Sequence, residues 1–403
     1  MGISLVIILI CLFPNNTKVQ AADIGENTAL HKKRTLFLKE KMFKSQIQRF
    51  YPDSNYSFTY PDAVRGIYVT GHSAGGKRFD ELVELIDKTK LNAMVIDIKD
   101  DWGNITYKTD TSFPYKIEGE YFIDDLDKLM KKMAKSNIYP IARIVVFKDT
   151  LLAKKHPEFS FKDGDQVWVN QGGEAFVNPF LKEVWDYNIK IAIEAAQMGF
   201  QEIQFDYVRF PEGFETRDQQ LTYQLGDYGE DKKNSIQQRV QAITDFTEYA
   251  RRKLKPYGVQ ISVDIFGYTA TLPEAPGIGQ NFSKISEHVD VISSMIYPSH
   301  WTSYFGIAKP DLEPYELVKE YIKLEKEKLN NLDHPPISRP WLQDFTASWL
   351  GEGNYLKYGK KEVEAQIRAL QDEGVEEFLL WNAGNVYTKN VDYVPASSST
   401  KKM

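Results

Sequence analysis

Cysteine is nearly absent from the 403 residues: the one present, Cys11, has no partner for an internal disulfide. Histidine is scarce too, at six residues. No two of them stand as His-x-His or His-Glu-x-x-His, the spacings that put two imidazoles on one zinc ion, so a metal-dependent hydrolase, esterase or deacetylase has little support. There is no excess of positive charge. The net charge is −6, which gives no general case for nucleic acid binding. No repeat of solenoid period occurs. The cluster Gly71-His72-Ser73-Ala74-Gly75-Gly76 is neither G-x-G-x-x-G nor a P-loop. No cofactor and no metal site is expected.

What is present begins with an apolar run, Ile3 to Phe13, of signal-peptide length and too short for an ordinary membrane span. Val19-Gln20-Ala21 has the small-x-small form of a cleavage site, so residues 1–21 are expected to be a signal peptide and the protein to be secreted or held at a bacterial cell envelope. The run departs from the usual pattern in having no Lys or Arg before Ile3, and Ile10 stands where a lipid-modified Cys11 would need a small residue. Residues 22–60 form a basic extension. Between Leu30 and Phe50, Lys32, Lys33, Arg34, Lys39, Lys41, Lys44 and Arg49 face only Glu40, over a loose stripe of Leu36, Phe37, Met42, Phe43 and Phe50. A weakly packed linker helix accounts for this more readily than contact with an anionic envelope polymer or lipid.

From Val64 on, strand-like and helix-like segments alternate. Strands are expected over Val64–Thr70, Leu91–Ile98, Ile138–Phe147, Gln201–Pro211, Val259–Phe266, Val289–Tyr297, Ile337–Phe345 and Glu377–Asn382. Helices are expected over Arg78–Lys88, Ile123–Ser136, Pro179–Met198, Ser235–Leu254, Pro314–Leu329 and Glu362–Glu373. Eight such strands predict an α/β fold, a (β/α)8 TIM barrel with long βα loops over residues 61–386, followed by a flexible tail, 387–403. An open doubly wound sheet is the competitor, and the lack of a Gly-rich fingerprint weighs against it.

The polar residues gather at one end of these strands. Asp97, Asp206, Asp264 and Asp344 stand at the ends of strands two, four, five and seven, with Arg143 inside strand three, Tyr297 ending strand six and Asn382 ending strand eight. Asp is disfavoured in a strand, so four at the same end mark a shared polar mouth, with two of the four expected only to satisfy loop backbone. Arg209 follows Asp206 closely enough to pair with it. Trp102, Trp168, Trp301, Trp341, Trp349 and Trp381 also fall in or just after strand ends, while Trp185 lies on a helix. Aromatic rings cover the C–H faces of sugars, and carboxylates and amides bind the hydroxyls, so the mouth predicts carbohydrate. Two carboxyls are what glycosidic hydrolysis requires, and Asp206 and Asp264 lie on neighbouring strands.

The segments Val64-Arg65-Gly66-Ile67-Tyr68, Val95-Ile96-Asp97-Ile98-Lys99-Asp100-Asp101-Trp102-Gly103, Ile141 to Asp149, Trp168-Val169-Asn170, Val177-Asn178-Pro179 and Glu202 to Pro211 resemble a bacterial family of glycosyl-hydrolase-like domains within the barrel glycosidase superfamily. That resemblance covers roughly Val64 to Val386 and implies the barrel and a carbohydrate substrate. The strand-four Asp followed by a strand-five carboxylate is similar to the α-amylase superfamily, with Asp264 where a Glu stands there. Met295-Ile296-Tyr297 and Trp381 are similar to family 18 chitinases, whose strand-four catalytic Glu is missing here.

The expectation is therefore a secreted glycoside hydrolase acting on a polysaccharide. Asp206 and Asp264 are the catalytic candidates, and Asp97, Arg143, Arg209, Tyr297, Trp341, Asp344, Trp381 and Asn382 would hold the sugar. The alternative is a barrel of the cell envelope that binds glycan without cleaving it.

Overall fold

Segments that are apolar on both faces bury both only in a parallel sheet covered by helices. The computed structural model describes residues 56–109, 115, 119–229 and 234–395. Its barrel strands are β1 (Arg65–Val69), β2 (Ala93–Lys99), β3 (Tyr139–Val145), β4 (Glu202–Asp206), β5 (Gln260–Phe266), β6 (Val291–Met295), β7 (Ile337–Ser338 continuing in Trp341–Gln343) and β8 (Phe378–Trp381). Each runs parallel to the next, β8 pairs with β1, and Trp341 of β7 meets Met295 of β6 to close the ring. The sheet is a closed TIM barrel, as expected, and not an open sheet. The expected signal peptide, Cys11, the extension up to residue 55 and residues beyond 395 lie outside the described residues.

Helices α1 (Arg78–Asp87), α2 (Leu126–Lys135), α3 (Lys182–Gln197), α4 (Ser235–Leu254), α5 (Phe282–Ser286), α6 (Pro314–Asn330) and α7 (Lys360–Asp372) connect the strands. Polar caps start several of them: Asp125, Asn234 and Asn281 each accept from a backbone N–H three residues on. The short α5 was not foreseen. The glycine cluster after β1 has a packing reason. Gly71–Gly75 is a single short helix, and a Cβ on Gly75 would sit 1.6 Å from the Phe122 carbonyl oxygen.

Alternation divides the strand residues between two cores. Ile67, Val69, Met94, Ile96, Ile203, Phe205, Val263 and Ile265 pack outward against the helices. Tyr68, Val95, Tyr139, Ile141, Trp341 and Leu379 point into the barrel. At the floor, buried Arg339 donates to both Glu202 oxygens at 2.7 and 2.9 Å, to Glu377 at 2.9 Å and to the Tyr60 hydroxyl at 2.9 Å. Tyr60 thus belongs to the barrel although it falls in the expected extension. On β2 the pairing register shifts between Asp97 and Lys99. The bulge lets Asp97 face inward while Lys99 reaches Asn188 on α3 at 3.1 Å and pairs with Asp149 at 2.7 Å.

The packed chain also runs past the expected end of the barrel. Tyr387 donates to the Tyr68 carbonyl at 2.5 Å, and Val391 and Tyr393 are buried, so residues 387–395 are not a free tail.

Candidate active site

Strand parity builds the site. On β4, Ile203 and Phe205 face the helices, which turns Glu202, Gln204 and Asp206 into the barrel. The strand ends at Asp206, earlier than Pro211, because Tyr207 has φ 52°, in the left-handed region that bulky residues rarely adopt. In that turn the Tyr207 amide donates to Asp206 Oδ1 at 2.6 Å.

Arg143, on the neighbouring β3 and 1% exposed, is the centre of the charge arrangement. Its Nε and Nη2 donate to Asp206 Oδ2 at 3.0 and 2.6 Å, its Nη1 to Asp97 Oδ1 at 2.6 Å and its Nη2 to Asp101 Oδ1 at 2.9 Å. One guanidinium therefore holds three acids. The Tyr68 hydroxyl donates to the other oxygen of Asp97 at 2.5 Å, and its ring stacks on Trp381 with centroids 4.0 Å apart and planes 17° from parallel. The guanidinium carbon lies 5.4 and 5.5 Å from those two ring centroids. Asp264, two residues before the end of β5, faces the same way, and its Oδ1 accepts from Trp341 Nε1 at 2.8 Å. Tyr297 is buried beside these acids.

The acids differ in how firmly they keep their protons. Burial pushes the Asp264 carboxyl well above the ordinary range, and the charge of Asp206 adds to the effect. Burial raises Asp97 to about 7 despite Arg143. Burial would also raise Asp101, but Arg143 and Lys148 together pull it below its usual value. The site thus sets Asp264, whose burial favours its protonated form, beside acids bonded to a fixed cation.

Several expected residues sit elsewhere. Arg209 does not pair with Asp206: it bonds Glu212 at 3.0 Å and lies over the Tyr207 and Phe266 rings, 4.6 Å from each centroid. The left-handed turn at Tyr207 redirects the chain, and Arg143 takes the place expected for Arg209. Asp344 accepts from the Thr388 amide and hydroxyl at 3.0 and 2.5 Å, away from the other acids. It is the strand-end Asp that serves a loop. Asn382 is likewise engaged by its own turn, donating to the Asp344 and Val386 carbonyls and accepting from the Gly384 amide. Trp341 is 1% exposed and supports Asp264 from inside the barrel, so it offers no surface to a sugar. Trp168 is buried as well, and Trp301 packs against Phe305 and Tyr321. Of the six tryptophans, Trp102 and Trp349 are exposed and Trp381 is half-buried.

Sequence reasoning passed over Tyr68, Asp101, Lys148 and Tyr207. Lys148 pairs with Glu174 at 2.7 Å and Asp101 at 3.8 Å, and its Nζ is 3.3 Å from the Tyr207 hydroxyl. Tyr68 had a signal: it is the last inward position of β1, level with the other strand ends. The others lie on loops, where no periodicity marks direction.

A closed (β/α)8 barrel with acids, a buried arginine and aromatic rings at the C-terminal ends of its strands is an arrangement compatible with a glycosidase. The chain belongs to the family described as "Putative glycosyl hydrolase domain", whose model matches residues 66–387. Among solved structures it is similar to the glycoside hydrolase domain of PgaB (BpsB) from Bordetella bronchiseptica, with TM-score 0.58 and 13% identity over 81% of this chain and 95% of that one, which supports the fold. A hypothetical protein from Ruminiclostridium thermocellum is 34% identical over 49% of this chain and 96% of its own, with TM-score 0.42. The spore cortex-lytic enzyme SleL of Bacillus megaterium is 10% identical over 81% of this chain and 73% of its own, with TM-score 0.45. No curated protein gives a significant match.

Proposed function

We propose that the protein is a glycoside hydrolase that cleaves O-glycosyl bonds in an extracellular or cell-wall polysaccharide. The observation that carries this is the unlike pair at the ends of β4 and β5. Asp206 accepts two hydrogen bonds from Arg143, whereas Asp264 has no such partner among the described residues and is driven toward its protonated form by burial and by Asp206. In the reaction Asp264 gives its proton to the glycosidic oxygen as the bond to the anomeric carbon breaks. Asp206 supplies the second carboxylate, as nucleophile or as base to water. Trp381, stacked on Tyr68, is the sugar platform nearest the acids, and Tyr297 faces them. The apolar run Ile3–Phe13 and the Ala21 site support export.

One observation favours a second reading, a barrel that binds glycan without cutting it. Asp206 Oδ2 already accepts twice from Arg143 and Oδ1 accepts from the Tyr207 amide, which suits a fixed structural carboxylate. Incubating the protein with a panel of cell-wall and matrix glycans, and assaying for new reducing ends, separates the two. Asp206→Asn and Asp264→Asn are each expected to remove about 10²–10⁴-fold of the rate while the protein stays folded. Retention by Asp206→Asn of more than about a tenth of the rate, a loss of only ~1.4 kcal/mol, would exclude it from catalysis. Glycan binding without any cleavage by the wild type would establish the second reading.

A further inference from the structure

The mouth of the barrel is chemically lopsided. On the β2–β4 side stand charged groups: Asp101, Lys148, Glu174 and Arg209. On the β6–β8 side stand rings, and they are continuous. From Trp381 the next ring is Tyr297, with centroids 6.4 Å apart; from Tyr297 it is Phe345, 5.9 Å on; from Phe345 it is Trp349, 5.8 Å on. From Tyr297 outward burial decreases. Tyr297 is 6% exposed, while Trp349 at the rim is 65% exposed, so the row of rings opens to solvent at its outer end.

The rim end of this row is braced. Phe345 and Trp349 lie nearly parallel, 22° apart, and the His300 ring stands edge-on to both, at 82° and 84°. The neighbouring Ser299 amide donates to Gln343 Oε1 at 3.1 Å, and Gln343 donates to Asp311 at 3.0 Å. Asp311 in turn accepts from the Leu356 amide at 3.1 Å, and Thr346 accepts from the Tyr358 amide at 3.0 Å. The loop that carries Trp349 is therefore tied at both ends to the barrel, so its ring is set in position before any ligand arrives. Partial burial lowers the His300 imidazole pKa, and with Nδ1 at 3.0 Å from the Ser299 hydroxyl the neutral ring leaves Nε2 to meet a hydroxyl.

We propose that Trp381, Phe345 and Trp349, joined by the buried Tyr297, form a track along which a glycan chain runs outward from the acids, so that the protein grips several sugar units on one side of the bond it acts on. This rests on the glycosidase reading above and deepens it: the substrate is a chain, cut or held within its length, rather than a short saccharide. The half-buried Trp381 and Phe345 and the exposed Trp349 suit the C–H faces of sugars, and the inner end of the row is continuous with Tyr68 and Arg143. On the β2–β4 side the ring nearest the acids, Tyr207, has Lys148 and Arg209 lying over it, so the grip is one-sided.

The test is binding as a function of chain length. Cello-, chito- and xylo-oligosaccharides of about two to six units are titrated by calorimetry into the full chain carrying Asp206→Asn, which keeps the ligand uncut. Affinity is expected to rise with length in at least one series, with about a fivefold gain from the ring at Trp349. Adding Trp349→Ala should flatten that rise at the longer members, and Phe345→Leu should do the same. Trp102→Ala, on the opposite rim, should leave the rise in place. Affinity that grows equally with length in Trp349→Ala overturns the proposal, as does a failure of every series to bind. Length-dependent binding that needs Trp349, in a wild type that releases no reducing ends, would uphold the track while removing the hydrolase.

Discussion

Replacing Arg143 by Gln removes one charge and strands three. In the native protein its guanidinium makes hydrogen bonds of 2.6–3.0 Å to Asp97, Asp101 and Asp206, and it is 1% exposed. Breaking a buried ion pair from one side costs about 3–5 kcal/mol, because the remaining charge is left without compensation. Here the remaining acids also repel one another and respond by taking up protons. Asp97, already raised to about 7 with the arginine present, loses its main source of lowering and moves higher still. The sign follows from proton counts. Between the ordinary aspartate range and the raised folded pKa, the folded protein binds more protons than the unfolded chain, so stability falls as pH rises. Each extra bound proton makes the slope steeper by about 1.4 kcal/mol per pH unit. The gap in stability between wild type and Arg143→Gln should therefore be smallest near pH 5 and widen toward pH 8. With about 2.1 cal/mol/K of unfolding entropy per residue, each kcal/mol should shift Tm by roughly 1–2 °C in a domain of this size. Urea unfolding of both proteins across that pH range is the measurement. A gap that is constant, or that narrows as pH rises, would refute the reasoning.

Two further outcomes are expected. Lys99→Met leaves Asp149 buried without its cation and should cost about 3–5 kcal/mol in urea unfolding, with part of the loss recovered when Asp149→Asn is added; no recovery would mean the lysine acts through packing alone. If the leader is removed as its sequence indicates, N-terminal sequencing of protein from the medium or cell wall should begin at Ala22; finding it only in cytosol with Met1 in place would end the export proposal.

The sequence by itself determined the elements and the end of the barrel at which chemistry gathers. Both are local properties. A strand alternates every residue, so the run Glu202 to Asp206 declares two faces wherever it is placed, and Asp206 and Asp264 end up at the same end because each lies at or within two residues of the end of its own strand. Even so, the boundaries moved where the backbone does something no period encodes: Tyr207 turns left-handed and ends β4 early, and β7 breaks before Trp341. The tertiary structure decided the partners. Sequence nearness put Arg209 beside Asp206, but a side chain meets its neighbours through register. In the barrel Val145 is opposite Asp206 and Arg143 opposite Gln204, which brings the Arg143 guanidinium to the carboxylate from the adjacent strand. The same holds for the tryptophans. Placement at strand ends was legible, but whether a ring faces the interior or the rim depends on parity and on neighbouring loops. Hence Trp341 supports Asp264 from within, and Trp349 stands in solvent. A bulge on β2 separates Asp97 from Lys99, sending one into the site and the other to α3, though both carry odd numbers in one strand. Local covalent geometry sets what each segment is. Closure of the ring sets what each segment faces, because only the closed ring fixes the stagger of one strand against the next.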